Sequence, residues 1–171
     1  MAESENRVVC IVDTSLLLFG NLIPRKEIRY ITSSRVVDEI YKDNLKREVV
    51  KGYIASGRLE VENPSKKFLD KAMEIARDIS ELSKLSQADL DIIALAMKHV
   101  ETDTVIVITD DFSIQNILEN LGIDYLPVRR KIKDRVRRWR FICRKCGKKY
   151  LNDIQICPIC GGKVTRHRVR Y

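Results

Sequence analysis

The sequence predicts an α/β fold in which a parallel or mainly parallel sheet is flanked by helices, followed by a small second module. Apolar, β-branched runs alternate with amphipathic segments along residues 7–128, which is typical of sheets with helices on both faces. The runs ending at Asp13 and at Thr109 are apolar throughout, as in strands buried on both faces. The last 45 residues carry four cysteines and half of the basic residues, which indicates a separate module.

The elements follow one another in a regular order. A first strand ends at Asp13, and a short segment, residues 28–32, leads into a helix at residues 33–43 that Ser33 or Ser34 can cap. Apolar periodicity, terminal glycines and a proline then define the remaining elements. Further helices are predicted at residues 45–57, 66–84, 85–100 and 112–122, and further strands at residues 59–64, 104–109 and 123–128.

The charge distribution divides the chain into two parts. Residues 1–126 hold 16 basic and 22 acidic residues, a net charge of −6, whereas residues 127–171 hold 16 basic and 2 acidic residues, a net charge of +14. Basic clusters of this density usually contact polyanions, of which nucleic acid is the commonest in the cytoplasm. No apolar run approaches the roughly 18–20 residues of a membrane span, and the N-terminus lacks a secretory signal. We therefore expect a cytoplasmic protein with no membrane partner.

Acidic residues recur at the ends of predicted core elements. Asp13 follows one strand, Asp110 and Asp111 follow another, Glu39 lies in a helix, and Asp89 begins the helix of "LSQADLDIIALA". Ligands of parallel sheets bind at the carboxyl ends of the strands, so these carboxylates are expected in one cleft. A divalent cation such as Mg²⁺ or Mn²⁺ would relieve their repulsion. Alternatively, each acid only caps a helix.

The motifs "VDTS", "LSQADLDIIALA" and "ITDDFSIQN", with Glu39 in an amphipathic helix, resemble those of PIN-domain ribonucleases over roughly residues 7–128. The resemblance implies a PIN-like sheet and metal-dependent RNA hydrolysis. It also implies Mg²⁺ or Mn²⁺ binding by Asp13, Glu39, Asp89 and one Asp of the "TDD" stretch. Asp110 and Asp111 both remain candidates, with Asp110 favoured because it is nearer the strand. For Asp91 the helix dipole is the simplest explanation.

The C-terminal cysteines form two C-x2-C pairs separated by ten residues, and a glycine follows each pair. This spacing is typical of a tetrahedral zinc site in a cytosolic protein, and a redox dithiol would require only one pair. The predicted structural Zn²⁺ ligands are Cys143, Cys146, Cys157 and Cys160.

A basic segment, Arg129–Arg140, precedes the cysteines and holds eight basic residues and one acid. Such a segment suits phosphate contacts and stacking on bases, although a solvated linker is the alternative. Trp139 could stack on a base or pack on the cysteine module. The predicted RNA-binding residues are Arg129, Arg130, Lys131, Lys133, Arg135, Arg137, Arg138, Trp139 and Arg140. The expected domains are a nuclease domain at 1–126, a basic linker at 127–140 and a zinc ribbon with a basic tail at 141–171.

The ordered pair of PIN domain and cysteine ribbon resembles, more narrowly, the archaeal Nob-one family of endonucleases. This resemblance implies cleavage of precursor RNA at the 3′ end of small-subunit ribosomal RNA. It implies the pre-ribosomal small subunit as the partner assembly, with a KH-domain RNA-binding assembly factor as a further candidate partner. The alternatives are a toxin-type PIN ribonuclease acting on tRNA or mRNA, and a non-catalytic RNA-binding scaffold.

Overall fold

The computed structural model describes residues 8–20, 22–23, 25–129, 139–150 and 154–168, with only the backbone described at residues 139–140, 149 and 166–168. The chain forms two compact units, Met1–Arg130 and Lys131–Tyr171. The unit boundary lies near the predicted start of the basic linker.

Unit one contains a five-stranded parallel sheet, as the alternating sequence pattern predicted. Its strands are β1 (Val8–Val12), β2 (Ile28–Thr32), β3 (Glu60–Val61), β4 (Thr104–Ile108) and β5 (Asp124–Leu126). They lie in the order β3-β2-β1-β4-β5, and every pair is parallel. The fully apolar β1 lies in the centre, where both faces are covered and four of its five side chains are almost completely buried.

Most of the helices that flank this sheet begin at a residue whose side chain caps them. The helices are α1 (Thr14–Phe19), α2 (Ser34–Ile40), α3 (Asn44–Ala55), α4 (Lys66–Asp78), α5 (Gln87–His99) and α6 (Phe112–Leu121). Of the two serines considered, Ser33 caps α2 by accepting the N–H of Val36. Gly122, at φ +66°, ends α6 in the left-handed region that glycine tolerates. None of the helices in the described ranges is long and apolar enough to span a bilayer.

The structure differs from the sequence prediction at two helices. The run after Asp13 forms α1, which was not predicted, because the Asp13 carboxylate accepts the N–H of Thr14 and starts a helix directly after β1. The helix predicted at residues 66–84 ends at Asp78 and is followed by a separate 3₁₀ turn, Leu82–Lys84. The intervening Ser80 has φ +59°, and this turn brings Glu81 against α6.

The strand order reverses between β1 and β4, and this topology positions the site. The chain runs outward from β1 to β2 and β3 on one side, and from β4 to β5 on the other. Loops that follow β1 and β4 therefore diverge and leave a crevice at the carboxyl ends of these two strands. Asp13 and Thr109, the first residues after the two strands, are both almost fully buried at this crevice.

Unit two is a small antiparallel sheet built around the cysteines. Its strands are β6 (Trp139–Cys143), β7 (Lys149–Tyr150) and β8 (Val164–Arg168), in the order β7-β6-β8. The buried residues of this unit are only Cys143, Cys157 and Val164 among those that the structure describes. A core of this size is too small to hold a fold without a further crosslink.

Candidate functional site

Asp13 is the most constrained carboxylate of the crevice. Its Oδ1 accepts the backbone N–H of Thr14 (2.6 Å), and its Oδ2 accepts the hydroxyls of Ser15 (3.1 Å) and Thr109 (2.7 Å). Burial raises the pKa of Asp13 above its usual value, the hydrogen bonds oppose this shift, and the nearby charge of Asp89 adds to it. Residues after both central strands therefore fix this side chain in one orientation.

Glu39 and Asp89 approach Asp13 from two helices. The Oε2 atom of Glu39, on α2, accepts the hydroxyl of Thr14 (3.0 Å). Asp89 and Ser86 form a capping box at the start of α5, in which the Oδ2 of Asp89 accepts the N–H of Ser86 (2.7 Å). Burial raises the pKa of Asp89, the hydrogen bonds from Ser86 oppose this shift, and the charges of Asp111 and Glu39 raise it further. The carboxylates of α2, α5 and α6 thus act on one another electrostatically.

Asp111 faces this group while it caps α6. Its Oδ1 accepts the N–H groups of both Ser113 (2.7 Å) and Ile114 (3.0 Å). Both hydrogen bonds are therefore made to the same oxygen of Asp111. The negative charge of Asp111 also contributes to the raised pKa of Asp89. In the part of the chain that the structure describes, no hydrogen bond is made to the second oxygen, Oδ2, which can therefore bind another ligand.

Asp110 has different contacts. Its Oδ1 accepts the N–H of Val128 (2.8 Å), and the N–H of Arg129 approaches both of its oxygens at 3.3 Å. The Nε of Arg129 also lies 3.4 Å from Oδ2. The carboxylate of Asp110 is therefore committed to the segment that follows β5. The contacts favour Asp111 over Asp110 as the fourth carboxylate, although the sequence favoured the reverse.

The four carboxylates of the crevice, Asp13, Glu39, Asp89 and Asp111, suit a hard divalent cation. All their ligand atoms are oxygens, which Mg²⁺ and Mn²⁺ prefer. Among the described residues, no lysine or arginine forms an ion pair with any of the four, so their charge is not neutralised by the protein. However, among the residues that the structure describes, no three of these side chains have carboxylate oxygens that all lie within 4.8 Å of one another. Metal binding would have to draw them closer.

Sequence reasoning missed two hydroxyls of the site. Thr14 donates to Glu39, and Thr109 donates to Asp13. The signal was present, because hydroxyl residues flank the acids in both "VDTS" and "ITDD". Their partners could not be named without the tertiary fold, which places α1 beside α2 and the end of β4 beside the end of β1.

Asp91 is a buried residue that forms an ion pair, not an exposed residue at the N-terminus of its helix. It lies beyond the first turn of α5, is fully buried, and accepts a hydrogen bond from Arg35 of α2 at 2.5 Å. Burial raises the pKa of Asp91, and the Arg35 guanidinium opposes this shift only in part. The helix-dipole explanation was therefore wrong for Asp91. The ion pair joins the two helices that carry Glu39 and Asp89.

The four predicted cysteines come together in unit two. Their Sγ atoms all lie within 4.8 Å of one another, with 3.4 Å between Cys143 and Cys160 and 3.7 Å between Cys146 and Cys157. A tetrahedral ion with metal–sulfur bonds of about 2.3 Å needs sulfurs about 3.8 Å apart. The cluster therefore has the dimensions of a four-thiolate metal site.

Glycine makes room for this cluster. A Cβ atom at Gly162 would lie 3.0 Å from the Sγ of Cys143 and 3.2 Å from that of Cys160. The hydroxyl of Tyr150 also lies 2.7 Å from the Sγ of Cys157. Backbone and hydroxyl groups thus pack directly around the sulfurs, as around the thiolate ligands of a structural metal.

Most of the predicted RNA-binding segment lies outside the described residues. This applies to all of the positions Arg130, Lys131, Lys133, Arg135, Arg137 and Arg138. For Trp139 and Arg140 the structure describes only the backbone, in β6. Only Arg129 has a described side chain, and its role in RNA binding stays a prediction.

Residues 10–98 match the family described as "PIN domain of ribonuclease". The match covers more than half of the chain and includes Asp13, Glu39 and Asp89. The chain belongs to the PIN-domain ribonucleases. It is therefore a nuclease that hydrolyses phosphodiester bonds, and the prediction of a PIN-like fold and an endoribonuclease is confirmed.

Several curated relatives match both units of this PIN-domain protein. Endoribonuclease Nob1 of Pyrococcus abyssi is 33% identical over 156 residues, which is 90% of each chain. Endoribonuclease Nob1 of Methanothermobacter thermautotrophicus is 31% identical over 163 residues, 94% of this chain and 93% of the relative. Ribonuclease VapC1 of Thermoplasma acidophilum is 31% identical over 160 residues, 94% of this chain and 78% of the relative.

The Asp91–Arg35 ion pair yields a stability prediction. Arg35→Met leaves a buried carboxylate without its cation, so we expect the free energy of unfolding to fall by about 1–3 kcal/mol, less than for a fully buried pair because Arg35 is half-exposed. Adding Asp91→Leu should restore most of the loss. Urea unfolding of the zinc-loaded chain measures both values.

The matched control for this prediction is Arg29→Met. Arg29 pairs with Glu60, but both side chains are exposed, so the expected change is below about 1 kcal/mol. If Arg35→Met and Arg29→Met lower the free energy of unfolding equally, the Asp91–Arg35 pair stabilises the fold no more than an exposed ion pair, and the prediction is contradicted.

Proposed function

We propose that this PIN-domain ribonuclease is an endonuclease that cleaves precursor RNA at the 3′ end of small-subunit ribosomal RNA. The observation that supports the proposal is the position of Asp13 and Asp111 after β1 and β4, at the reversal of strand order. Glu39 and Asp89 lie near them on α2 and α5. The choice of substrate is supported by the archaeal relatives named Endoribonuclease Nob1, which match both units. The pre-ribosomal small subunit as the setting, a KH-domain partner and a cytoplasmic location remain predictions.

In this proposal the four carboxylates hold one or two divalent ions, Mn²⁺ or Mg²⁺. When bound, such an ion neutralises charge on the phosphodiester and makes water a better nucleophile. The site residues contribute orientation: Ser15 and Thr109 fix the Asp13 carboxylate, and Thr14 fixes that of Glu39. These hydroxyls donate hydrogen bonds to the carboxylates of Asp13 and Glu39 and so orient them. The lone pairs that accept no hydrogen bond are therefore already oriented for a metal ion before it binds.

The reaction is hydrolysis of one phosphodiester bond. Water adds to phosphorus, the bond to the 3′ oxygen breaks, and that oxygen takes a proton, leaving a 3′-hydroxyl and a 5′-phosphate. The 2′-hydroxyl takes no part as nucleophile. This distinguishes the proposed enzyme from ribonucleases that form a cyclic phosphate.

The cysteine cluster is proposed to hold a structural Zn²⁺. Four thiolates with no exchangeable position form a closed site, which is typical of structural rather than catalytic zinc. The small core of unit two supports this role, since binding of the metal would supply folding free energy that packing cannot.

A second candidate function rests on the relative named Ribonuclease VapC1. That match covers 94% of this chain and so extends into the cysteine-rich unit. The ribbon alone therefore does not exclude a toxin-type ribonuclease acting on tRNA or mRNA. Substrate preference decides between the two.

The first prediction concerns cleavage. The wild-type chain with Mn²⁺ should cut a short RNA that spans the small-subunit 3′ end, leaving a 5′-phosphate, and should leave tRNA and mRNA fragments largely intact. Asp13→Asn should reduce the rate by more than roughly 100-fold, because one fixed ligand is lost. Denaturing gels with end-labelled RNA measure the rates.

Two controls sharpen this test. Asp13→Asn should melt at or above the wild-type temperature, because Asn also caps helices and one repelling charge is removed. An RNA with a single 2′-deoxynucleotide before the cut should be cleaved normally. Preferred cleavage of tRNA would favour the toxin-type function, and full activity of Asp13→Asn would contradict the site.

The second prediction separates the adjacent aspartates. Asp111→Asn should weaken Mn²⁺ binding by more than roughly 100-fold, whereas Asp110→Asn should weaken it by no more than about tenfold, as expected for a group outside the ligand set. Asn at position 111 can still cap α6, so we expect both variants to fold as the wild type does and to differ only in Mn²⁺ affinity. Calorimetric titration with Mn²⁺ gives both affinities, and the reverse order would make Asp110 the ligand.

The third prediction concerns the cysteines. Cys157→Ala should lose the roughly one zinc per chain that the wild type binds, and unit two should unfold while the PIN domain melts as before. Cys10→Ala is the control, because Cys10 is buried in β1 and is not part of the cluster. Metal analysis and heteronuclear NMR of both variants give the readout. Retention of zinc by Cys157→Ala would contradict the assignment.

A further inference from the structure

Arg129 and Phe19 form a stacked pair beside the catalytic crevice. The Cζ atom of Arg129 lies 3.6 Å from the centroid of the Phe19 ring. Phe19 is 56% exposed, and the Arg129 side chain is 58% exposed. A guanidinium group is planar and has two faces, so the face opposite the ring can take a second flat ligand.

We propose that this pair is a stacking platform for one nucleobase of the RNA substrate. The proposal deepens the function proposed above and rests on it, since the ligand is taken to be RNA. Flat Arg and aromatic surfaces stack on unpaired bases, and this contact tolerates any base sequence.

Asp110 holds the platform in place. It accepts the N–H of Val128 and of Arg129, and its Oδ2 lies 3.4 Å from the Nε of Arg129. The ion pair with Asp110 and the contact with the Phe19 ring therefore restrict the guanidinium before a ligand arrives, which lowers the entropy lost on binding. The carboxylate also offsets part of the positive charge, so the site offers a flat surface more than a phosphate clamp. This gives Asp110 a role other than metal binding.

The platform is connected to the catalytic carboxylates by short contacts. The N–H of Asp110 donates to the Ser15 hydroxyl (3.1 Å), which in turn donates to Asp13 (3.1 Å). Phe19 is the last residue of α1, and Asp13 is its N-cap. This six-residue helix is about 9 Å long, at about 1.5 Å per residue. At roughly 3.4 Å per stacked nucleotide, the base on the platform would lie about two to three nucleotides from the cut.

The charge of the PIN domain explains why a base contact is needed there. Residues 1–126 carry a net charge of −6, so phosphates near the crevice are repelled unless cations intervene. Stacking on a base attracts RNA without requiring further positive charge at the acidic site. It would also hold the strand in register for a cut at one phosphodiester bond.

The test combines protein variants with RNAs that lack a single base. RNA affinity of the zinc-loaded full chain is measured by fluorescence anisotropy without added Mn²⁺, using the RNA that spans the small-subunit 3′ end. Arg129→Lys keeps the charge but loses the planar face, and Phe19→Leu keeps an apolar side chain but loses the ring. Arg77→Lys, at an exposed position on α4, is the matched control.

We expect Arg129→Lys and Phe19→Leu each to weaken binding roughly tenfold, with little further loss in the double variant. One abasic substitution, about two to three nucleotides from the cut, should weaken wild-type binding similarly. On that RNA, Arg129→Lys should bind like the wild type. Arg77→Lys should bind like the wild type on every RNA.

Two outcomes would overturn the platform. One is an Arg129→Lys variant that binds RNA as tightly as the wild type. The other is an Arg129→Lys variant whose affinity falls by the same factor relative to the wild type on every abasic RNA, which would indicate a phosphate contact or a purely structural role. A wild-type chain that binds this RNA but never cleaves it with Mn²⁺ contradicts the proposed function and leaves the stacking result to stand by itself. Absence of any RNA binding contradicts both.

Discussion

The site depends on holding like charges together at one edge of a parallel sheet. Three of its four carboxylates lie at helix N-termini: Asp13 is the N-cap of α1, Asp89 is in the first turn of α5, and Asp111 is the N-cap of α6. Each helix terminus offers unpaired N–H groups and a partial positive charge, which favours a nearby carboxylate by about 0.3–1 kcal/mol. Glu39 lacks this support and is held by the Thr14 hydroxyl instead.

Capping and metal binding are therefore compatible roles for the same side chain. A carboxylate has two oxygens, and in Asp111 one of them makes both capping bonds. The cap orients the carboxylate and the other oxygen is left for a ligand. This division of roles between the two oxygens explains how acidic side chains can cluster in a stable domain, although no described Lys or Arg forms an ion pair with them. The buried Asp91–Arg35 pair complements it, since an attractive contact joins the two helices whose carboxylates Glu39 and Asp89 repel one another.

The sequence predicted those features that depend on local pattern. Alternating apolar runs predicted the parallel sheet, and paired cysteines of fixed spacing predicted that the four thiols come together. Contacts between distant positions were not accessible: Thr109 bonds Asp13 across 96 residues, and Arg35 bonds Asp91 across 56. The contacts that distinguish the two acids of the "TDD" stretch were equally hidden, because they depend on the segment after β5, which hydrogen-bonds to Asp110. Helix α1 was missed because its leucines continue the apolar run of β1.

In the proposed function, the crevice binds a catalytic divalent ion through Asp13, Glu39, Asp89 and Asp111. Electron paramagnetic resonance of Mn²⁺ titrated into the zinc-loaded chain tests it most directly, because the signal of free Mn²⁺ falls as the ion binds. We expect saturable uptake of Mn²⁺ by the wild type, and we expect Asp89→Asn to abolish this uptake without unfolding the PIN domain. Equal uptake by the wild type and by Asp89→Asn, or no uptake by either, would contradict it.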